Sequence, residues 1–188
     1  MQAKTKNKLT ITLTIVLFAS PVVVAYLLSS GIINYHPGST KNNGVFVSPL
    51  VKMSDYSDKN WVKNLMGHWT LIRRVPEVCN TQCQVLEDEL VRYQLSLGHR
   101  ADKLKLLLLS DGFQTNDEDP YTMVEKVDIS KNTSLKTMFN DLSQMSLKKG
   151  HGMYVVAPEG YLMMAFTEHN TTTEIIRDLS LLVKRKGD

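Results

Sequence analysis

The sequence predicts an α/β domain carried behind a single N-terminal transmembrane helix. Three observations lead there. Leu9 to Ser30 is an uncharged, largely apolar run of 22 residues. Beyond Trp61, short apolar runs alternate with stretches in which apolar residues recur every three or four positions, the signatures of strand and helix in turn. The last two strand-like runs are separated by the turn Pro158-Glu159-Gly160, as in a hairpin.

The first run is long enough to matter. At a rise of ~1.5 Å per residue it reaches ~33 Å, the thickness of a bilayer's hydrocarbon core. Thr10, Thr12, Thr14 and Pro21 are compatible with a membrane helix, where hydroxyls bond back to the backbone and proline is tolerated. Lys4, Lys6 and Lys8 precede the run, so the positive-inside rule keeps residues 1–8 in the cytoplasm and exports the rest. The run exceeds the core of a cleaved signal peptide, and no clean A-x-A site ends it. Residues 9–30 therefore read as an anchor in the lipid bilayer.

Residues 31–60 read as a tether, rich in turn formers such as Pro37, Gly38, Asn42, Asn43, Gly44 and Pro49. Val45-Phe46-Val47 has the composition to add a short strand. Residues 61–188 then form the exported domain. Trp69 to Val75 is a strand ending before Pro76. Thr81 to Leu97 is a helix with Leu86, Leu90, Tyr93 and Leu97 on one face and Gly98 as its stop. Leu104 to Leu109 is continuously apolar, as a strand buried on both faces must be. Asp111-Gly112 turns the chain, and an acidic polar loop runs to about Lys131. A helix from Ser134 to Leu147 buries Leu135, Met138, Leu142 and Met145. Strands at Met153 to Val156 and Tyr161 to Phe166 follow. A helix from Thr172 to Lys184 closes the chain on Ile175, Ile176, Leu179 and Leu182. Lys184, Arg185 and Lys186 suit the negative end of its dipole. The order β-α-β-α-β-β-α, with a right-handed βαβ crossover, is that of a thioredoxin-like fold.

Charge narrows the function. The net charge is +3, yet Lys4, Lys6, Lys8 and Lys41 precede residue 45 and every acidic residue follows it. The exported domain is close to neutral. No basic patch stands ready to neutralise phosphates, which excludes a nucleic-acid partner. No G-x-S-x-G, Walker loop or H-E-x-x-H occurs.

The only cysteines are Cys79 and Cys83, spaced C-N-T-Q-C between the first strand and helix of the domain. With Asn80 or Thr81 as cap, Cys83 falls in the helix's first turn. Unpaired N–H groups and the dipole there favour a thiolate. Residues four apart share a helix face, so both sulfurs can meet one atom. Three readings stand: a structural disulfide, a redox dithiol acting as a thiol-disulfide oxidoreductase, and a soft-metal site suited to Cu(I).

The segment Trp69-Thr-Leu-Ile through Pro76-Glu-Val-Cys79-Asn-Thr-Gln-Cys83 resembles the motif of the SCO/SenC family. Met153-Tyr-Val-Val-Ala-Pro-Glu-Gly160 resembles that family's strand and turn before its C-terminal helix. The likeness runs from about residue 61 to the end. It is nearer still to short anchored proteobacterial proteins found with oxidase assembly factors. The resemblance implies a thioredoxin-fold, periplasm-facing protein of the bacterial cytoplasmic membrane. Its implied job is handling copper for cytochrome c oxidase subunit II, as an assembly factor more than a turnover enzyme. It also implies a third copper ligand, His151, beside Cys79 and Cys83. Asn80 and Gln84 stand where the family carries proline. The two readings beside this one are exchange of disulfides with oxidase subunit cysteines and a non-catalytic scaffold with an inert disulfide.

The remaining candidates read as structural. His68 and His169 flank strands, and His36 and His99 sit in polar turns. Asp111 is a turn residue at the carboxyl edge of a strand, the side of an α/β sheet where sites gather. Met153, Met163 and Met164 read as core, and Arg73 and Arg74 as surface charges near the cysteines.

Overall fold

The computed structural model describes residues 2–29, 42–57, 59–80, 82–114, 123–145 and 150–184. They divide into two compact units, residues 1–40 and 41–188. The first unit is helix α1, Gln2–Ser29, which carries Pro21 inside it. Its Ser20 hydroxyl donates to the Leu17 carbonyl at 3.0 Å, so that polar group is satisfied within the helix. Ile11, Leu13, Ile15, Val16, Leu17, Phe18, Val22 and Val23 are all exposed. Among the described residues, no helix is long and apolar enough to cross a membrane.

The second unit is built on one six-stranded sheet. Its strands are β1 (Val45–Lys52), β2 (Trp69–Val75), β3 (Leu104–Ser110), β4 (Val124–Asp128), β5 (Gly150–Val156) and β6 (Tyr161–Thr167). Its helices are α2 (Asn60–Asn64), α3 (Gln82–Leu95), α4 (Thr133–Met145) and α5 (Thr172–Lys184). The strand order is β1-β6-β5-β2-β3-β4. β2, β3 and β4 run parallel, while β5, β6 and β1 add antiparallel partners. The expected β-α-β-α-β-β-α order is present as β2-α3-β3-α4-β5-β6-α5, with β1 and β4 as added edges.

The two edges extend the sequence reading. The short strand expected at Val45-Phe46-Val47 is present and runs on as β1 to Lys52 inside the stretch read as tether, and the acidic loop contains β4. The rest of β1 and all of β4 escape a periodicity search for the same reason. An edge strand needs few buried side chains: Val47 alone is buried in β1, Val124 and Val127 in β4. Pro49 lies where the β1–β6 register shifts between Phe46 and Val51, the irregular edge position that proline tolerates.

β3 shows why its sequence is continuously apolar. Leu107 and Leu109 join the core on the α2 and α4 side, with Ile72, Phe139 and Tyr154. Leu106 and Leu108 join the core on the α3 and α5 side, with Leu71, Leu90 and Leu179. Alternate side chains of a strand point to opposite faces, so both faces must be apolar. The helix starts follow from local chemistry. Asn132 accepts the Leu135 N–H at 2.9 Å as the cap of α4. Thr171 and Glu174 exchange bonds across the first turn of α5, Glu174 N–H to the Thr171 hydroxyl at 3.3 Å and Thr171 N–H to the Glu174 carboxylate at 2.8 Å, a capping box.

A buried carboxylate ties β1 to α5. Asp178 is 1% exposed. It accepts the backbone N–H of Asn43 at 2.6 Å, that of Gly44 at 2.8 Å and the Asn43 side-chain amide at 2.9 Å. Three donors satisfy oxygens that burial would otherwise leave without partners.

Candidate functional site

The site is built where β2 and β3 end. Parallel neighbours finish on the same side of the sheet, and the connection after β2 carries both cysteines. Cys79 and Cys83 form a disulfide, with Cα atoms 5.7 Å apart. Cys83 lies in the first turn of α3, as its spacing predicts, and its N–H donates to the Asn80 carbonyl at 2.9 Å. Thr81, the alternative cap, lies outside the described residues.

Cys79 is placed from the other direction. Its N–H donates to the Gly112 carbonyl at 2.8 Å, and its carbonyl accepts the Gln114 N–H at 3.0 Å. This short ladder pairs Cys79 with Phe113, parallel, just beyond β3. Ser110, the last residue of β3, lies with its hydroxyl oxygen 2.7 Å from both the Glu77 and the Gly112 carbonyls. The two cysteines thus hang from separate elements and are joined through sulfur. Both are buried, at 3% and 6% exposure, in the core beneath α3 and α5.

A charged cluster gathers at the same ends of β2 and β3, on the sheet face that carries α4. Arg74 donates to the Val75 carbonyl and pairs with Asp111 at 2.5 Å. Lys136 of α4 reaches the other oxygen of Asp111 at 3.1 Å. Arg74 is 7% exposed, so it is an internal cation and not a surface charge. Its position explains this: Arg74 follows Ile72 by two residues and shares that strand face. Arg73 faces the other way and approaches Glu89 of α3 at 3.9 Å. Glu89 also accepts the Tyr93 hydroxyl at 2.9 Å. Burial first, and that carboxylate second, raise the pKa of Tyr93 above 10.0.

His151 lies on β5. The β2–β5 register pairs Arg73 with Met153, so the antiparallel run brings the backbone of residue 151 to the carboxyl end of β2, where the cysteine segment departs. The register of β5 with β6 shifts between Gly150 and Met153, and Gly152 adopts a φ of +64°, where a Cβ would meet the Arg74 carbonyl oxygen at 2.6 Å. The side chain of His151 lies outside what is described. Among the described residues, no three histidine, cysteine or carboxylate groups gather as a metal site. The remaining expectations fall out plainly. His68, His99 and His169 are exposed, and His36 lies outside the described residues. Met153 and Met164 are core.

Ser110 and Asp178 were not singled out by the sequence reading, and each had a signal. Ser110 ends an otherwise apolar buried run. Asp178 falls three residues after Ile175, on the apolar stripe of α5, where a carboxylate must have found donors.

The comparisons with known proteins follow this geometry. The family described as transmembrane-like, thioredoxin-like, C-terminal domain matches residues 69–185, from the start of β2 to the end of α5. Yeast Sco1 is 15% identical, with a TM-score of 0.44 over 68% of this chain and 86% of that one. Yeast Sco1 with copper bound is 14% identical, with a TM-score of 0.43 over 67% and 84%. Bradyrhizobium japonicum ScoI with copper bound is 18% identical, with a TM-score of 0.41 over 64% and 88%. A comparison with curated proteins gave no match. The match from β2 through α5 covers more than half of the sequence, and the chain belongs to the transmembrane-like, thioredoxin-like C-terminal domain family.

Proposed function

We propose that this protein is a membrane-anchored, periplasm-facing factor that assists assembly of cytochrome c oxidase, handling copper for subunit II through Cys79 and Cys83. The observation that carries this reading is the bonded pair itself, set between the carboxyl end of β2 and the first turn of α3. Two sulfurs within bonding reach act as one two-electron unit when oxidised and one two-thiolate unit when reduced. The resemblance of the segments at Trp69–Cys83 and Met153–Gly160 to the SCO/SenC family supplies the recipient.

The donor set fits the cargo. Cu(I) is soft and accepts few ligands, and two thiolates suit it. The disulfide form offers no thiolate, so loading first requires two electrons and two protons from a thiol donor. Once the pair is reduced, the N-terminal end of α3 favours the Cys83 thiolate. His151, at the carboxyl end of β2 by register, is the third ligand in this scheme. The anchor reading rests on the uncharged run from Leu9 to Ser30 and the lysines before it. Confinement to the membrane would raise the effective concentration of donor and recipient.

The test is anaerobic titration of the reduced full chain in detergent with Cu(I) against a competing chelator. Tight binding of one Cu(I), lost in Cys79→Ser and in Cys83→Ser, is the expected result. Weak binding indifferent to both substitutions overturns the reading. Carbonate extraction and protease access to spheroplasts check the topology: the chain stays in the membrane and its domain is cut from outside. Release into the supernatant removes the anchor.

A second reading is favoured by the burial of both cysteines, which protects sulfur from thiol attack. In it the disulfide is inert and the domain is an assembly scaffold. Intact oxidase assembly after removal of both cysteines would select it.

A further inference from the structure

We propose that Ser110 is a positioning residue for the Cys79–Cys83 pair, setting how strongly the pair favours the disulfide. The inference rests on the reading of that pair as exchangeable. Ser110 is fully buried, at 0% exposure. Its hydroxyl oxygen is 2.7 Å from the Glu77 carbonyl and 2.7 Å from the Gly112 carbonyl. A hydroxyl has one proton to donate, so it bridges the two carbonyls by serving either one. Glu77 lies two residues before Cys79 in the connection leaving β2. Gly112 is the residue whose carbonyl holds the Cys79 N–H at 2.8 Å. One side chain therefore fastens both the approach to Cys79 and the partner of Cys79.

This placement has a direction. Cys83 is fixed by α3, independently of Ser110. Cys79 is fixed by the ladder to Gly112 and Gln114. Holding Cys79 within reach of Cys83 raises the effective concentration of one thiol at the other, which favours ring closure over the open dithiol. Loosening the Cys79 side lets the reduced pair drift apart. The exchange itself balances with a dithiol reductant. A thiolate of the reductant attacks one cysteine sulfur, the S–S bond breaks, and the electron pair leaves on the other cysteine, which takes a proton. The reductant's second thiol displaces the first cysteine and closes the reductant's own disulfide.

The experiment equilibrates the full chain in dithiothreitol buffers of graded redox ratio and counts free thiols by alkylation. Ser110→Ala is expected to shift the equilibrium about tenfold toward the dithiol, the effect of one lost buried hydrogen bond with its carbonyl left unpaired. The Cys79 amide in the oxidised protein is expected to exchange its proton faster. Ser110→Thr, which keeps the hydroxyl, restores both. Leu162→Val, a core change in β6 on the opposite side of the sheet, lowers stability and leaves the equilibrium in place. An unchanged equilibrium in Ser110→Ala, or an equal shift in Leu162→Val, overturns the proposal. Failure of Cu(I) binding leaves this measurement standing, because it reads the thiols of the purified chain alone.

Discussion

Leu106 to Leu109 of β3 and Ile11 to Val23 of α1 are both dominated by aliphatic side chains, and their surroundings differ as far as surroundings can. Leu108 is 0% exposed, held between helices on one face of the sheet, whereas Leu17 is 70% exposed. Residue type is the same in the two places. What differs is the partner surface: β3 has apolar neighbours on both faces, and the described apolar side chains of α1 are exposed. The lesson is that the cost of a change follows burial and partners, and matched substitutions in buried and exposed positions measure it.

The largest contrast is Leu108→Asp against Leu17→Asp. A carboxylate at position 108 would sit without a partner in the core, costing about 4–5 kcal/mol or more. That is on the order of a domain's entire stability, so the variant is expected to be unfolded by circular dichroism. The same change at position 17 is expected to leave urea unfolding of the domain within ~0.5 kcal/mol of wild type. On the proposed anchor reading it is expected instead to weaken membrane retention, a central Asp costing a membrane helix ~3 kcal/mol. Equal loss of domain stability in both variants would break the comparison.

The same contrast decides what the sequence revealed. β3, α3, α4 and α5 were legible because burial on one or both faces forces a strict apolar pattern on them. The hairpin of β5 and β6 was legible from its turn. β1 was legible only in its first three residues, Val45 to Val47, and β4 not at all, because an edge strand buries one face lightly and its charged positions, such as Glu125 and Lys126, look like loop. The cysteine pair was legible from spacing, and its position in the first turn of α3 followed from helix geometry. The carbonyls that place Cys79 were not, because the contact of Ser110 with Glu77 spans 33 residues of sequence and depends on β2 lying parallel to β3. Arg74 was misplaced at the surface for a related reason. Its partner Asp111 lies 37 residues away, and no local pattern announces a buried ion pair.

The second contrast is between two aspartates. Asp178→Ala removes the acceptor for two backbone N–H groups and one amide, leaving buried donors unpaired at a cost of about 2–3 kcal/mol. Asp141→Ala, on the exposed side of α4, is expected to change stability by less than ~0.5 kcal/mol. Urea midpoints read both. An Asp178 variant as stable as the Asp141 variant would show that the Asn43–Gly44 attachment carries no stability.

A third contrast uses two glycines of positive φ. Gly152 and Gly67 have φ of +64° and +83°, so alanine at either carries the left-handed strain of about 1–2 kcal/mol. A Cβ at position 67 meets open space, whereas one at 152 meets the Arg74 carbonyl at 2.6 Å. Gly152→Ala is therefore expected to cost more than Gly67→Ala, by about 1 kcal/mol or more. It should also shift the Arg74–Asp111 pair at the end of β2. Equal costs would mean that β5 yields freely at its bulge.

The smallest expected effect is a pH dependence at Asp128, an exposed residue at the end of β4. Its carboxylate accepts the Ser130 N–H at 2.7 Å. That bond is the main reason its pKa lies below the ordinary value of 3.8, with the Ser130 side chain and then Lys59 and Lys131 acting in the same direction. The sign follows from linkage. The charged form is favoured by folding, so the stabilisation is fully present above pH 3.8 and lost as pH falls through the lower folded value. Asp128→Asn is expected to show a small deficit in urea midpoint near neutral pH that closes on the acid side. Solvent screening keeps that deficit far below the one at Asp178. A deficit that stays constant down to low pH would assign the effect to geometry of the turn instead of charge. That outcome would narrow the comparison to burial alone, with electrostatics contributing nothing measurable at the exposed edge.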